Sequence, residues 1–294
     1  MQDISQKIQQ ASHSGAKLEV FRDEENYFVR KIVTSDIERN HKAVLKQMNF
    51  HRINTPTYGI HAIPVVCSEK EESKLTTVMP YIDGIGGEQV AVKGTHAIAK
   101  ELKIALDFYL IQLISDTEDE IYPVQDIHSK INSISKKLEE RWYLFPDLKY
   151  YIKCFRTFCS EDLKLPIGKC HGDLTLSNLK ITTDGLMLFD FLECEINSPL
   201  QDAAKLIQDF DYGWSFRKEK TSIRLKGEVF CEYAKPKSLS LFERLFEYEM
   251  IVIKALTVLR IAPYIKPDDQ ITISWFQKTM TRINSEIQEK LCLR

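Results

Sequence analysis

The fold is decided by His171-Gly172-Asp173-Leu174-Thr175-Leu176-Ser177-Asn178, which runs on through Leu179 to Thr183, Asp184-Gly185 and Leu186-Met187-Leu188-Phe189-Asp190-Phe191. Two short apolar or β-branched runs, Leu179 to Thr182 and Leu186 to Phe189, flank Asp184-Gly185. Asp-Gly is a hairpin turn signal because glycine accepts a positive φ. The spacing predicts a polar loop feeding a hairpin that brings the chain back to its start. Asp173, Asn178 and Asp190 can then converge, although 17 positions separate the first from the last. Two carboxylates and one amide oxygen are all hard ligands, a set suited to Mg2+ rather than Zn2+. The plainer use of the same residues is to satisfy turn amides, with Asp190 capping whatever follows.

Phosphoryl transfer from a nucleotide needs such a set. One carboxylate orients the acceptor hydroxyl and takes its proton, while an amide and a second carboxylate hold the metal that draws charge off the phosphates. His-Gly-Asp-x4-Asn followed by an apolar strand ending in Asp-Phe resembles the catalytic loop and metal-binding segment of the aminoglycoside phosphotransferase and choline kinase-like family. Those enzymes are relatives of the protein kinases, which carry His-Arg-Asp-x4-Asn and Asp-Phe-Gly. The resemblance implies an α+β, two-lobed protein kinase-like fold. A small antiparallel sheet lobe with one helix would span residues 1–83, and a larger, mainly helical lobe residues 84–294. It implies Asp173 as the catalytic base, Asn178 and Asp190 as Mg2+ ligands, and ATP as phosphate donor. The expected acceptor is a hydroxyl of a small molecule. Family members act on aminoglycosides, choline, ethanolamine, sugars and homoserine, and a sugar or polyol fits better than an aminoglycoside here. His171 reads as a packed scaffold residue, since a base stands two positions later.

Weaker support lies upstream. Lys17 to Phe21 and Asn26 to Val33 read as strands around Arg22-Asp23-Glu24-Glu25, but no G-x-G-x-x-G or Walker A motif is present, and Ser12 to Ala16 is only a weak candidate for a phosphate loop. Phe28 to Val33 resembles the kinase strand whose lysine binds phosphates. Period-2 alternation puts Lys31 on the face of Val29, and a one-residue slip would select Arg30. Ser35 or Asp36 is expected to cap a helix through Ile37, Val44, Leu45 and Met48. Glu38 sits in its first turn, where the dipole favours it, and by resemblance would pair with Lys31. Ile60 to Cys67 and Leu75 to Tyr81 read as two strands. Met79-Pro80-Tyr81-Ile82-Asp83-Gly84 resembles the hinge that contacts adenine, with Tyr81 the expected backbone anchor because Pro80 lacks an N–H.

Downstream, helices are predicted over His96 to Ser115, Ile127 to Trp142, Leu148 to Phe158, Ser240 to Pro263 and Asp268 to Leu293, besides a short one over residues 2–14. Asp202 in Pro199-x2-Asp202-x-Ala204 resembles the residue that steadies the family's catalytic loop, and is also a natural first-turn carboxylate. Glu193, Glu195, Asp209 and Asp211 form an acidic set to which a cationic acceptor would be drawn. Trp214 suits either a sugar platform or the core. Leu192 replaces the glycine of Asp-Phe-Gly and no Ala-Pro-Glu follows, which disfavours a protein kinase. The rival readings are a kinase-shaped nucleotide-binding module without turnover, and transfer onto protein side chains.

Composition agrees with this frame. The 294-residue chain carries 40 Lys plus Arg against 42 Asp plus Glu, a formal charge of -2, with no long run of one sign. Nothing marks it for nucleic acid or an anionic membrane. Leu239 to Ala262 is apolar but broken by charges, so a core helix and not a membrane span is expected. Seven scattered cysteines, without a Cys-x2-Cys pair or a secretory leader, predict reduced thiols in a cytoplasmic protein. The sequence leaves the oligomeric state open.

Overall fold

The computed structural model describes residues 16–293. The helix expected over residues 2–14 and all of the candidate phosphate loop Ser12 to Ala16 except Ala16 lie outside that range. Strands β1 (Lys17–Asp23) and β2 (Asn26–Val33) form the first hairpin. Its tip is only Glu24-Glu25, shorter than expected, with Glu24 at φ 52°. Helix α1 (Ile37–Met48) follows, then β3 (Ile53–Asn54), β4 (Gly59–Ala62), β5 (Cys67–Lys70) and β6 (Leu75–Pro80). Four strands make one antiparallel sheet in the order β1-β2-β6-β5.

The run expected as one strand from Ile60 to Cys67 is two. Pro64 interrupts it; Val66 and β5 then pair with β6, while β4 leaves for a second sheet. That sheet has the order β3-β4-β10-β9, where β9 (Leu179–Thr182) and β10 (Gly185–Leu188) are the hairpin read from the sequence. β4 runs parallel to β10, with Ile60 opposite Leu186 and Ala62 opposite Leu188. A segment that precedes residues 79–84 thus pairs with one that follows the loop over residues 171–178. Ile85, just past the hinge, exchanges backbone hydrogen bonds of 2.7 and 2.9 Å with Ile181 on β9.

The turn at Asp184-Gly185 works differently from a simple αL glycine. Gly185 is the first strand residue, at φ 133°, and a Cβ there would lie 2.1 Å from the Gly59 carbonyl oxygen. The glycine is required by the close approach of β4.

The helical lobe begins with α2 (Val90–Lys93) and α3 (His96–Ser115), whose N-terminus is capped by Thr95 accepting the Ile98 amide at 3.2 Å. β7 (Glu118–Tyr122) pairs antiparallel with β8 (Leu163–Ile167), a ribbon the sequence reading did not anticipate. Between them lie α4 (Val124–Lys137) and α5 (Leu148–Phe158). After the second sheet come α6 (Pro199–Phe210), α7 (Thr221–Ala234), α8 (Lys237–Leu245), α9 (Glu247–Leu259) and α10 (Gln270–Leu293). The single helix expected over Ser240 to Pro263 is two, broken at Phe246. Among the described residues no helix is long and apolar enough to cross a membrane. The architecture is the two-lobed protein kinase-like fold expected from the sequence.

Leu102, Leu106, Tyr109 and Leu113 of α3 are buried at helical spacing and join Ile251, Val252, Val258 and Leu259 of α9 in one core. All twelve residues of α6 are buried, polar ones included. Ser198 caps this helix through the Leu200 amide at 3.2 Å, and Pro199 fills its first turn, where a missing N–H costs nothing.

Replacing Gly185 by alanine forces its neighbour β4 away and imposes a left-handed backbone on an L-residue. Gly185→Ala is expected to cost about 2 kcal/mol or more, read as a lowered urea midpoint at unchanged slope.

Candidate active site

Three side chains of α6 hold the loop that precedes β9. Asp202, Lys205 and Asp209 recur at i, i+3 and i+7, one stripe of the helix. Asp202 accepts the amides of His171 and Gly172, each at 2.7 Å, and the Tyr109 hydroxyl at 2.8 Å. Asp209 accepts the amide of Leu176 at 2.5 Å and that of Ser215 at 2.7 Å. Lys205 donates to the Asp173 carboxylate at 2.8 Å. The cap of α6 is therefore Ser198, and Asp202 serves the loop. Gly172 lies at φ 88° with no room for a Cβ, which would stand 2.4 Å from the Leu192 carbonyl oxygen.

His171 is fully buried, as a scaffold residue should be. Its Nδ1 accepts the Asp173 amide at 3.2 Å, so Nε2 carries the proton and donates to the Phe189 carbonyl at 2.9 Å. Burial lowers its pKa and keeps the ring neutral. The imidazole thereby ties the loop to the end of the hairpin.

Asp173 and Asn178 meet. The Asn178 Nδ2 donates to Asp173 Oδ2 at 3.0 Å and to the Asp173 carbonyl at 2.8 Å. Asp173 Oδ1 takes two cations, Lys205 at 2.8 Å and Arg260 at 3.0 Å. Burial alone would raise the pKa of this carboxyl, but the Lys205 ammonium and the Arg260 guanidinium outweigh it and hold it well below the usual carboxylate range. Burial, and then the Arg260 charge, lower the pKa of Lys205 to about 8. Burial raises that of Asp209 to about 6, against the hydrogen bonds it receives from Ser215 and Leu176.

Asp190 follows β10 in the left-handed region at φ 57°, a conformation that Asp tolerates better than most residues. The Lys31 ammonium sits 2.8 Å from its Oδ1. Lys31, and not Arg30, is the residue turned to the loop. Arg30 lies over the Phe21 ring at 4.8 Å and bonds Glu19 at 3.2 Å. The structure thus forms two pairs, Asp173 with Asn178 and Asp190 with Lys31, and the Phe189 amide, one residue before Asp190, donates to the Asn178 carbonyl at 3.2 Å.

Glu38 and Tyr81 are placed otherwise than expected. The pair between Glu38 and Lys31 does not form; Glu38 bonds Lys70 instead. Nine positions before Gln47, at about 100° per residue, Glu38 falls half a turn away from the buried side of α1. Asp190 takes the place at Lys31. Nor does a side chain cap α1, since Asp36 is left-handed at φ 48° with no side-chain cap bond. The Tyr81 amide is engaged, donating to Tyr27 at 2.8 Å, because the β2–β6 ladder runs one residue past Pro80. Among the described residues the Ile82 amide has no partner, and it is the first such donor of the hinge.

The acidic set disperses. Asp209 binds backbone amides, Asp211 pairs with Lys235 at 2.6 Å, and Glu195 with Lys130 at 2.6 Å. The carbonyl of Glu193 accepts from Arg39 at 2.9 Å. Trp214 carries the Arg217 guanidinium over one face at 3.5 Å and packs against the tilted ring of Trp275 at 4.7 Å. Sequence reasoning missed Lys205 and Arg260. Lys205 had a signal, a charge at core-facing spacing with Asp202. Arg260, 87 positions beyond Asp173, had none.

The donor set fits a magnesium ion. The Asn178 amide nitrogen points at Asp173, which leaves its oxygen as the ligand atom, and Asp190 has Oδ2 beyond the oxygen used by Lys31. Among the described residues no group of three or more His, Cys, Asp or Glu side chains converges as a metal site. Two protein ligands completed by phosphate oxygens and water suit Mg2+, which dehydrates reluctantly.

The Lys205 shift has a measurable consequence. The folded protein gives up this proton near 8, and the unfolded chain retains it to 10.5. More protons are then bound in the unfolded state between these values, so stability rises with pH there. Urea unfolding from pH 7.5 to 10 should show wild type gaining stability relative to Lys205→Met; parallel curves would contradict the assignment.

A sequence model of the phosphotransferase enzyme family matches residues 10–224. No curated protein matches the chain. Among solved structures, a thermostable mutant of the aminoglycoside phosphotransferase APH(4)-Ia is 10% identical, with 93% of this chain and 92% of that one covered at a TM-score of 0.56. A glucosamine kinase in complex with glucosamine, ADP and inorganic phosphate is 12% identical, covering 95% and 83% at 0.54. A choline/ethanolamine kinase family protein from Mesorhizobium loti is 14% identical, covering 97% and 94% at 0.51. At such identities these likenesses speak for the fold. The family match, which spans well over half of the 294 residues, shows that the chain belongs to the phosphotransferase enzyme family.

Proposed function

We propose that the protein transfers the γ-phosphate of ATP to a hydroxyl of a small molecule. The observation that carries this reading is the two side-chain pairs, Asp173 with Asn178 and Lys31 with Asp190, on a loop and hairpin end that the Phe189 amide joins by donating to the Asn178 carbonyl at 3.2 Å. Asn178 and Asp190 would hold Mg2+, whose chemistry is to draw charge off the phosphates and orient them. Lys31, only 20% exposed and already turned to the loop, would bind phosphate oxygens. The Ile82 amide is a better adenine contact than that of Tyr81, which the sheet uses. The small antiparallel sheet with α1, through residue 83, would be the nucleotide lobe and the remainder the acceptor lobe.

Asp173 is the residue assigned to the acceptor. A carboxylate held this acidic is a weak base, so its role is to orient the hydroxyl and take the proton late, as the bond to phosphorus forms. A loose transition state requires no more than that. The solved glucosamine kinase complex contains ADP and a small acceptor, which supports the same division of labour. A kinase-shaped module that binds nucleotide without turnover is the rival reading, and it draws on the double ion pair at Asp173.

Thermal shift and ATP consumption separate the two. ATP with Mg2+ should raise the melting temperature by mass action. Asp173→Asn should keep that shift and lower kcat by about 10^2–10^4-fold. Asp190→Ala should weaken or abolish the shift and its Mg2+ dependence. Turnover near wild type in Asp173→Asn would remove Asp173 as the base.

A further inference from the structure

The charge around Asp173 is arranged for an acceptor of a particular kind. Two cations, Lys205 and Arg260, share one oxygen, Asp173 Oδ1. The other carboxylates of α6 give them no direct partner: Asp202 is taken up by two amides and the Tyr109 hydroxyl, and Asp209 by two amides. The cations therefore outnumber the anionic oxygens offered to them. Arg260 also has donors to spare. A guanidinium carries five N–H groups in a planar fork, and among the described residues only Nη2 finds a side-chain partner. Its side chain is 27% exposed beside Asp173 at 31%, so both reach solvent, while Lys205, at 6%, backs them from inside.

The two oxygens of Asp173 divide the surroundings. Oδ2 is held by Asn178, on the side of the candidate metal ligands, and Oδ1 faces the cations. An anion on Arg260 would thus approach Asp173 from the side away from the nucleotide. An amino sugar or amino alcohol there would set its ammonium beside two cations that already share one carboxylate oxygen. Of the acidic residues that were to attract such a cation, Asp209, Asp211 and Glu195 are occupied elsewhere, which leaves the Glu193 carboxylate alone.

We propose that the acceptor is a hydroxyl compound bearing an oxyanion, a carboxylate or a phosphate, which the free fork of Arg260 binds while Asp173 receives the hydroxyl. This rests on the phosphotransferase reading above. The hydroxyl oxygen forms a bond to the γ-phosphorus as the bond to the ADP oxygen breaks, and the hydroxyl proton passes to Asp173 and then to water. Arg260 is a specificity determinant, and a planar bidentate donor suits carboxylate and phosphate alike.

The test uses the full chain with ATP and Mg2+, and measures ADP formation from gluconate and glycerol 3-phosphate against glucitol, glycerol and glucosamine. At least one acid should show kcat/KM tenfold or more above its uncharged partner and above glucosamine. Arg260→Gln should cancel that preference, mainly through KM, and Arg260→Lys should restore part of it. The ATP-dependent melting shift of each variant reports that the fold and the nucleotide site persist. A preference for glucosamine or for the uncharged polyols overturns the proposal. So does an acid preference that survives Arg260→Gln, or no turnover of either acid by protein that binds ATP. If ATP neither shifts the melting temperature nor is consumed with any acceptor, the kinase reading itself fails, and the oxyanion subsite falls with it.

Discussion

A single face of α6 holds the loop over residues 171–178 in place, and much of the structure exists to keep that face where it is. Asp202, Lys205 and Asp209 grip the loop along its length through the amides of His171, Gly172 and Leu176 and the carboxylate of Asp173. Charged groups at zero to four per cent exposure are costly unless each finds its partners. Here the partners are backbone N–H groups of a loop that would otherwise have no regular ladder. Burying the charges of the helix and ordering the loop are therefore coupled through the same bonds. The surrounding apolar helices, α3 and α9 above all, exclude water from these bonds and so strengthen them.

The segment from Asp190 to Asn197 extends this order to the small lobe. Lys31 on β2 reaches Asp190, Arg39 on α1 reaches the Glu193 carbonyl, and Lys46 on the same helix reaches the Leu192 carbonyl at 3.1 Å and Asn197 at 3.0 Å. Basic side chains of α1 are thus satisfied by acceptors of one short stretch, much of it carbonyl oxygen. The β4–β10 pairing makes a further connection through backbone alone. These contacts explain why α1 needs no glutamate at Lys31: the helix is positioned by its lysine and arginine side chains, and the lysine of β2 is neutralised by the aspartate after β10. Lys46 also lies 3.4 Å from the Cys170 sulfur. Its own burial would lower its pKa, but the surrounding thiols and Asp202 raise it on balance, and the ammonium stays charged.

How far this was legible depended on whether the cause was local. The hairpin β9–β10 and the helices α3 and α5 follow from period and turn chemistry, and so appeared in the sequence with nearly correct bounds. His171, Gly172, Asp173 and Asn178 were legible as a unit because the loop is short and its spacing rigid. Glu38 misled because a first-turn carboxylate is favoured by the helix dipole whichever way the face points. Tyr81 misled because the reach of a ladder past Pro80 depends on the register of a distant strand. The split of Ile60 to Cys67 between two sheets, and the arrival of Arg260 at Asp173, are long-range events with no local trace. Asp209 and Asp211 were visible as charges, but a charge in a sequence does not say whether it faces substrate, a lysine or an amide.

Lys205 is the residue that stability alone least explains. A lysine at 4% exposure, with its pKa depressed, costs the folded state free energy that an apolar side chain of similar size would not. The pair it makes with Asp173 recovers part of this, but a neutral residue at 173 would remove the need. The arrangement makes physical sense if the carboxylate must be there for another reason. An ionised Asp173 at the mouth of the lobe, otherwise free to rotate, is fixed by Asn178 on one oxygen and by two cations on the other. On the function proposed above, the fold would gain an acceptor of the hydroxyl proton whose orientation does not have to be found during the reaction. That gain justifies a buried charge only in a protein that places a second molecule against it.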